Sequence, residues 1–214
     1  MNSPPRSKHA LLLVVVALIS ISAGLWLSQS TSSSKRLPPD LEATFLPKGK
    51  PLAEFHLSDH EQQPFDLARF HGKWSFLFFG YVNCPDVCPM GLQVMQSVWQ
   101  QLPPPLREQS QMVFVSVDPQ RDTPALLKSY VEYFHPEFLG VTGELGQIDI
   151  LTRSIGILYG YDDPEPGSTE YAVNHSAQII LIDPDARMRA VFSSPHEAGK
   201  ISSTFQKIAA FLAH

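Results

Sequence analysis

The sequence predicts an α/β fold, and three observations carry the prediction. Trp74 to Tyr81 is a continuous apolar run, the mark of a strand buried on both faces. Met90 to Leu102 then switches to helical spacing, with Leu92, Met95, Val98 and Trp99 on one face. Met112 to Val117 returns to an unbroken apolar run, so strand, helix and strand follow one another.

Taken in order, Ala53 to Leu57 reads as a short strand and Ser58 to Gln63 as a turn. The helix over Met90–Leu102 is stopped by Pro103-Pro104-Pro105. After the second buried strand comes the loop Asp118-Pro119-Gln120-Arg121-Asp122-Thr123-Pro124. Thr123 suits an N-cap and Pro124 the first helical position, with the helix running to about Phe134. Phe138 to Val141 is a short strand, Glu144 to Ile157 a helix, and Asp162 to Ser168 a loop. Ala177–Ile182 and Met188–Phe192 make a hairpin around Asp183-Pro184-Asp185-Ala186. A last amphipathic helix covers Glu197 to Leu212. A β-α-β start with a terminal hairpin and helix is the thioredoxin-like order: a central mixed sheet flanked by helices.

The N-terminal region is different in kind. Ala10 to Leu27 carries no charge and is rich in Leu, Val and Ile. At ~1.5 Å per residue it nearly crosses a ~30 Å apolar layer. Arg6 and Lys8 precede it, while Lys35 and Arg36 follow only after a spacer. That asymmetry favours the N-terminus inside and the body outside the cytoplasm. Residues 1–28 are therefore expected to be a transmembrane anchor. The competing reading is a cleaved signal sequence, with Ser28-Gln29-Ser30 as the small-x-small site. Residues 1–39 contain no acid, which also admits a mitochondrial presequence, but the stretch is not amphipathic. Residues 29–39 are Ser-rich, end in Pro38-Pro39 and read as a flexible tether. The globular domain is expected over 40–214. Net charge is -5, from 16 basic and 21 acidic residues, and no basic run interleaves with aromatics. Nucleic acid is therefore excluded as a partner.

The chain has 2 cysteines, Cys84 and Cys88, in Phe79-Gly80-Tyr81-Val82-Asn83-Cys84-Pro85-Asp86-Val87-Cys88-Pro89. Outside the cytoplasm such a pair is a disulfide, is actively reduced, or holds a metal. The loop leaves a buried strand and enters a helix, which is where chemistry sits in open α/β sheets. Pro85 and Pro89 favour a single turn from Cys84 to Val87, with the long helix starting near Cys88 or Pro89. A helix N-terminus favours thiolate over thiol, which serves metal binding and disulfide attack alike. Thioredoxin-type oxidoreductases use two intervening residues, and this chain has three. A structural zinc site wants four protein ligands. Two thiolates, alone or with one imidazole, suit a soft ion such as Cu(I). A plain disulfide across so short a loop would add little stability.

At this point the sequence resembles the Sco/SenC family. Three blocks carry the resemblance: Phe79-Gly80-Tyr81-x-x-Cys84-Pro85-Asp86-Val87-Cys88-Pro89, Val117-Asp118-Pro119-x-Arg121-Asp122-Thr123-Pro124, and Val173-x-His175-Ser176. They occur in family order and cover about residues 50–212. The resemblance implies a membrane-tethered, thioredoxin-fold copper metallochaperone. It would assist assembly of the cytochrome c oxidase copper centre, with the soluble domain on the periplasmic side of a bacterial inner membrane. The mitochondrial intermembrane space is the other placement. It makes Cys84, Cys88 and His175 the copper ligands, for Cu(I) or Cu(II). The implied partners are the oxidase copper-centre subunit or another copper chaperone. The alternative function is a thiol-disulfide oxidoreductase reducing an acceptor's cysteines, with Cys84 attacking and Cys88 resolving. A redox or copper sensor ranks third, for the sequence contains no output domain.

Asp118 resembles an acidic residue beside the copper site. It would either orient His175 as a hydrogen-bond acceptor or cap its own loop. His56 and His60 have metal-like spacing but straddle a strand and a turn, so they read as surface residues, as do His71, His135 and His196. Two positions depart from the family pattern. Asn174 stands where an acid is frequent, and Ala186 where the hairpin commonly has Gly. Alanine at positive φ there would cost on the order of 1 kcal/mol, or the turn type differs.

Overall fold

The computed structural model of the protein describes residues 13–24, 41, 44–163 and 171–213. The chain divides into two units, Met1–Pro39 and Asp40–His214. In the first, residues 13–24 form helix α1, whose apolar side chains are exposed. Among the described residues no helix is long and apolar enough to cross a membrane. The expected anchor extends beyond α1 on both sides, into residues that lie outside the described ones, as do the tether and the Ser28–Ser30 site.

The second unit contains, in order, β1 (Phe45–Pro51), β2 (Leu57–Asp59), β3 (Pro64–Phe65), a 3-10 turn (Leu67–Phe70), β4 (Trp74–Gly80), α2 (Val87–Gln101), α3 (Pro104–Glu108) and β5 (Ser110–Ser116). It continues with α4 (Pro124–Phe134), β6 (Leu139–Thr142), α5 (Leu145–Ile155), β7 (Tyr159–Tyr161), β8 (Val173–His175), β9 (Ile179–Ile182), β10 (Arg187–Phe192) and α6 (Ala198–Leu212). Among the described residues these strands build an eight-stranded sheet, ordered β1-β10-β9-β4-β5-β6-β2-β3, and a separate ribbon of β7 and β8. β4, β5 and β6 run parallel, and β9 joins β4 antiparallel. The expected α/β fold with a central mixed sheet flanked by helices is the fold observed.

β4 lies at the centre, and all seven of its residues are buried. Alternate side chains serve opposite layers. Leu77 and Phe79 join Val113, Val115 and the α5 residues Ile148, Leu151 and Ile155 in one core. On the other face Phe76 meets Phe205 of α6 with ring centres 5.1 Å apart, edge to face. Phe78 there lies under Gly91 of α2, where a β-carbon would come within 2.4 Å of the Phe78 ring. Helix α2 can approach the sheet so closely because position 91 has no side chain.

Several elements differ from the sequence reading, each for a physical reason. The expected strand over Ala53–Leu57 is displaced to Leu57–Asp59. Asp59 is a buried carboxylate, and a hydropathy pattern does not place one inside. It is satisfied there: Oδ1 accepts from the amides of Glu61 and Gln63, and Oδ2 pairs with Arg69 at 3.1 Å. β1 was not expected, because Pro47, Pro51 and Gly49 interrupt it. It is an edge strand with an irregular register, where a missing N–H is tolerated. The proline triplet does end α2, but Pro104 also starts α3 as its first residue, a position whose N–H has no helical partner. Thr123 caps α4 as read, accepting from the Leu126 amide at 3.3 Å. Of the expected Asp162–Ser168 loop, 162 and 163 lie outside any helix or strand, and the remainder lies outside the described residues. Ala186 has φ 58, so it occupies the left-handed conformation where glycine is favoured.

Candidate metal centre

β4 delivers the chain to Tyr81, after which Cys84 follows a tight turn closed by its amide on the Tyr81 carbonyl at 3.2 Å. Helix α2 begins at Val87, one residue ahead of the expected start. Pro89 is therefore its third residue, where no intrahelical N–H bond is lost. Cys88 sits in the first turn, fully buried, while Cys84 is half-buried before it. Both are free thiols. The Cys88 amide points at Cys84 Sγ, 3.4 Å away.

His175 comes from a distant part of the chain, where it ends β8. Its Nε2 is 3.2 Å from Cys88 Sγ. The donor atoms of Cys84, Cys88 and His175 all lie within 4.8 Å of one another. The imidazole is fixed from two sides by edge-to-face rings, Tyr81 at 6.1 Å and Phe78 at 6.4 Å. Its Nδ1 lies 3.3 Å from the Ser176 carbonyl, which leaves Nε2 aimed at the sulfurs.

The two sulfurs share their protons unequally. The Cys88 S–H aimed at Cys84, with backbone amides of the helix start behind it, holds the Cys84 thiol down at about 4 against an ordinary 9. The same hydrogen bond, then burial, pushes Cys88 far up. One negative charge is stabilised and the second is refused in this partly buried place. A cation bound between the sulfurs would remove that refusal, so metal binding here releases protons. The sign of the pH dependence follows. Cys84 is thiolate above about pH 4, so its alkylation rate should stay nearly level from pH 8 to pH 6 and fall only as pH approaches 4. Mass-spectrometric measurement of iodoacetamide labelling across that range checks this. A midpoint near that of a free thiol would refute the charge assignment.

Asp118 is not part of the cluster. It is fully buried, its Oδ1 accepting from the Tyr171 hydroxyl at 2.8 Å and its Oδ2 from Arg121 Nε at 2.5 Å. Of its two possible roles, its bonds fall to the loop and to the segment carrying His175, not to the imidazole. Asp122, next along the loop, accepts from the Ser116 hydroxyl at 2.6 Å and from the Val82 amide at 3.0 Å, pinning the thiol loop to β5. Burial pushes its carboxyl up. Asn174 is exposed and donates to Asp162 at 2.6 Å, away from the sulfurs.

The surface reading holds for His56 and His71, which are exposed. It fails for three others. His60 is mostly enclosed and accepts from the Gly140 amide at 2.9 Å through Nδ1. His135 packs against Trp99, with ring centres 5.5 Å apart. His196 is half-buried beside Phe78, and burial lowers its pKa. These contacts are long-range, so local sequence does not reveal them. Sequence reasoning also gave no role to Gly80. A β-carbon there would lie 2.4 Å from Cys88 Sγ and 3.0 Å from the Phe114 ring. Its place at the end of a buried strand, directly before the thiol loop, was the available signal.

The chain is similar to several known proteins. A protein of Stutzerimonas stutzeri described as copper-binding is 37% identical over 150 residues, covering 70% of this chain and 72% of that one. The mitochondrial SCO2 homolog of Bos taurus is 32% identical over 206 residues, covering 93% of this chain and 76% of its own. Among solved structures, Bradyrhizobium japonicum ScoI with copper bound superposes with a TM-score of 0.66 at 28% identity, over 73% of this chain and 98% of that one. The fold is thus the thioredoxin-like one of the Sco structures. The SCO1/SenC family model matches residues 46–210, a span that contains β4, the thiol loop, the Asp118–Pro124 loop and the His175 strand, and on that evidence the chain belongs to the SCO1/SenC family.

Proposed function

We propose that this protein is a copper metallochaperone that carries one copper ion on Cys84, Cys88 and His175. The observation that carries the reading is the convergence of two free thiols and one imidazole within 4.8 Å. Two thiolates and an imidazole are soft to intermediate donors that suit Cu(I), and the imidazole also suits Cu(II). Three donors, two of them on partly exposed residues (Cys84 and His175), leave a side from which an acceptor's thiolates can enter before the chaperone's own let go. Family membership and the copper-binding description of a relative support copper as the cargo. The acceptor is then the cytochrome c oxidase copper-centre subunit or another copper chaperone. The uncharged stretch over 10–27 supports tethering to a membrane, with the domain outside the cytoplasm.

The test is metal loading of residues 40–214 with Cu(I), followed by quantitation. One copper per chain is expected, and His175→Ala should weaken binding by about tenfold or more. Unchanged affinity in that variant would falsify the ligand assignment. Deleting the protein and assaying oxidase activity, with and without added copper, tests the delivery role. Rescue by copper supports delivery.

A second reading is favoured by the charge state of Cys84. A half-exposed thiolate beside a buried thiol is the arrangement of an attacking and a resolving cysteine. The two roles can share the site, because a Cys84–Cys88 disulfide could not bind copper through thiolates. Trapping a mixed disulfide with the acceptor through Cys88→Ser tests reductase activity; its absence counts against that activity.

A further inference from the structure

We infer that Arg121 is the positioning residue that holds His175 over the two thiols; the inference rests on the copper reading above. His175 needs such a device because β8 is not part of the main sheet. Its strand hydrogen bonds are to β7, a ribbon of three residues on each side. The thiols, by contrast, are anchored to the central strand β4 and to α2. Two ligands therefore stand on the main sheet and its helix, and the third on a short ribbon that reaches the core through Val173.

Arg121 bridges the two. Its guanidinium stacks on the Tyr171 ring, 3.7 Å from the centroid, and faces the Tyr81 ring at 5.4 Å. Tyr171 lies four residues before His175, and Tyr81 lies three residues before Cys84 and touches the imidazole edge-on. Arg121 also donates through one terminal nitrogen to the Tyr171 carbonyl at 2.9 Å and through Nε to Asp118 at 2.5 Å. Asp118 returns a contact by accepting from the Tyr171 hydroxyl at 2.8 Å. Tyr171 is thus held at its carbonyl, ring face and hydroxyl by one Arg–Asp pair. A planar, forked cation is needed for this, since one group must stack and donate in two directions at once. Lysine supplies the charge but neither the plane nor the fork.

The test uses Arg121→Lys, which keeps a positive charge beside the buried Asp118 and so preserves the fold, with Arg121→Ala as the stronger variant. Copper affinity of the full chain is measured for wild type, R121K, H175A and the double variant R121K/H175A. Apo unfolding midpoints are measured alongside. R121K is expected to weaken Cu(I) binding by about tenfold or more. The double variant should be no weaker than H175A alone, because Arg121 acts through the histidine. In Cu(II)-loaded R121K the nitrogen hyperfine signal of the imidazole should diminish, a readout that general destabilisation does not move selectively. Wild-type affinity and an intact nitrogen signal in R121K, with H175A weakened, would overturn the clamp and leave the copper reading standing. Additive losses in the double variant would overturn it too. Failure of the wild-type chain to take up copper overturns the copper reading, and the clamp with it.

Discussion

Cys84→Ser is expected to abolish stable copper loading and to leave a slow thiol behind, whereas Cys88→Ser should abolish loading and leave a fast one. Either substitution leaves one sulfur and one imidazole, and the loss of a direct ligand should exceed the roughly hundredfold loss typical of removing a ligand's supporting partner. The asymmetry comes from the environment of each sulfur. Cys88 is fully buried, and when Cys84 is replaced that burial still disfavours its thiolate. Cys84 is half-exposed and keeps the amides of the helix start when Cys88 is replaced, and a serine hydroxyl can still donate to it. At pH 7 the remaining thiol of Cys88→Ser should therefore alkylate at least about ten times faster than that of Cys84→Ser. Equal rates would sink the assignment of Cys84 as the charged partner. Wild-type copper affinity in either variant would sink the site itself.

Gly80→Ala should damage stability and the metal centre together. The new methyl would stand 2.4 Å from Cys88 Sγ and 3.0 Å from Phe114, and both neighbours are buried. Sulfur and ring cannot both withdraw, since Phe114 is packed against Tyr130 with ring centres 5.4 Å apart. Overpacking of this kind costs about 1–3 kcal/mol. For a domain of this size that lowers Tm by several degrees, about 2–4 °C per kcal/mol. The displaced sulfur should also weaken copper binding. Thermal unfolding of the apo protein and a copper titration measure the two effects. A variant with unchanged Tm would show that the contact relaxes at no cost.

The strands at the centre of the sheet were legible because burial on both faces leaves an unbroken apolar run, as in Trp74–Tyr81. Helices α2, α4 and α6 were legible because each buries one face against that sheet. Thr123 and Pro124 marked a helix start because capping is a local bond between neighbours in the chain. The strands at or next to the sheet edges were not legible. β1 tolerates Pro47 and Gly49 because one side of an edge strand makes no ladder bonds, and β2, paired between β6 and β3, holds a buried Asp59 that the turn amides of Glu61 and Gln63 and the Arg69 side chain satisfy. The β7–β8 ribbon is equally invisible, since its pairing joins residues separated by the Asp162–Ser168 segment.

The sequence by itself determined that this is an α/β domain, that a cysteine pair lies where a buried strand meets a helix, and, through three ordered motif blocks, which family it resembles. Those features are local, or are set by hydropathy that any window of the chain displays. The tertiary structure alone decided that His175 reaches the sulfurs, that Cys84 rather than Cys88 carries the charge, and that Asp118 bonds to Tyr171 and Arg121 instead of the imidazole. Each of these depends on atoms brought within a few ångströms from distant parts of the chain. Burial and hydrogen-bond geometry, which set the ionisation of a thiol and the aim of a ring, exist only once the chain has folded.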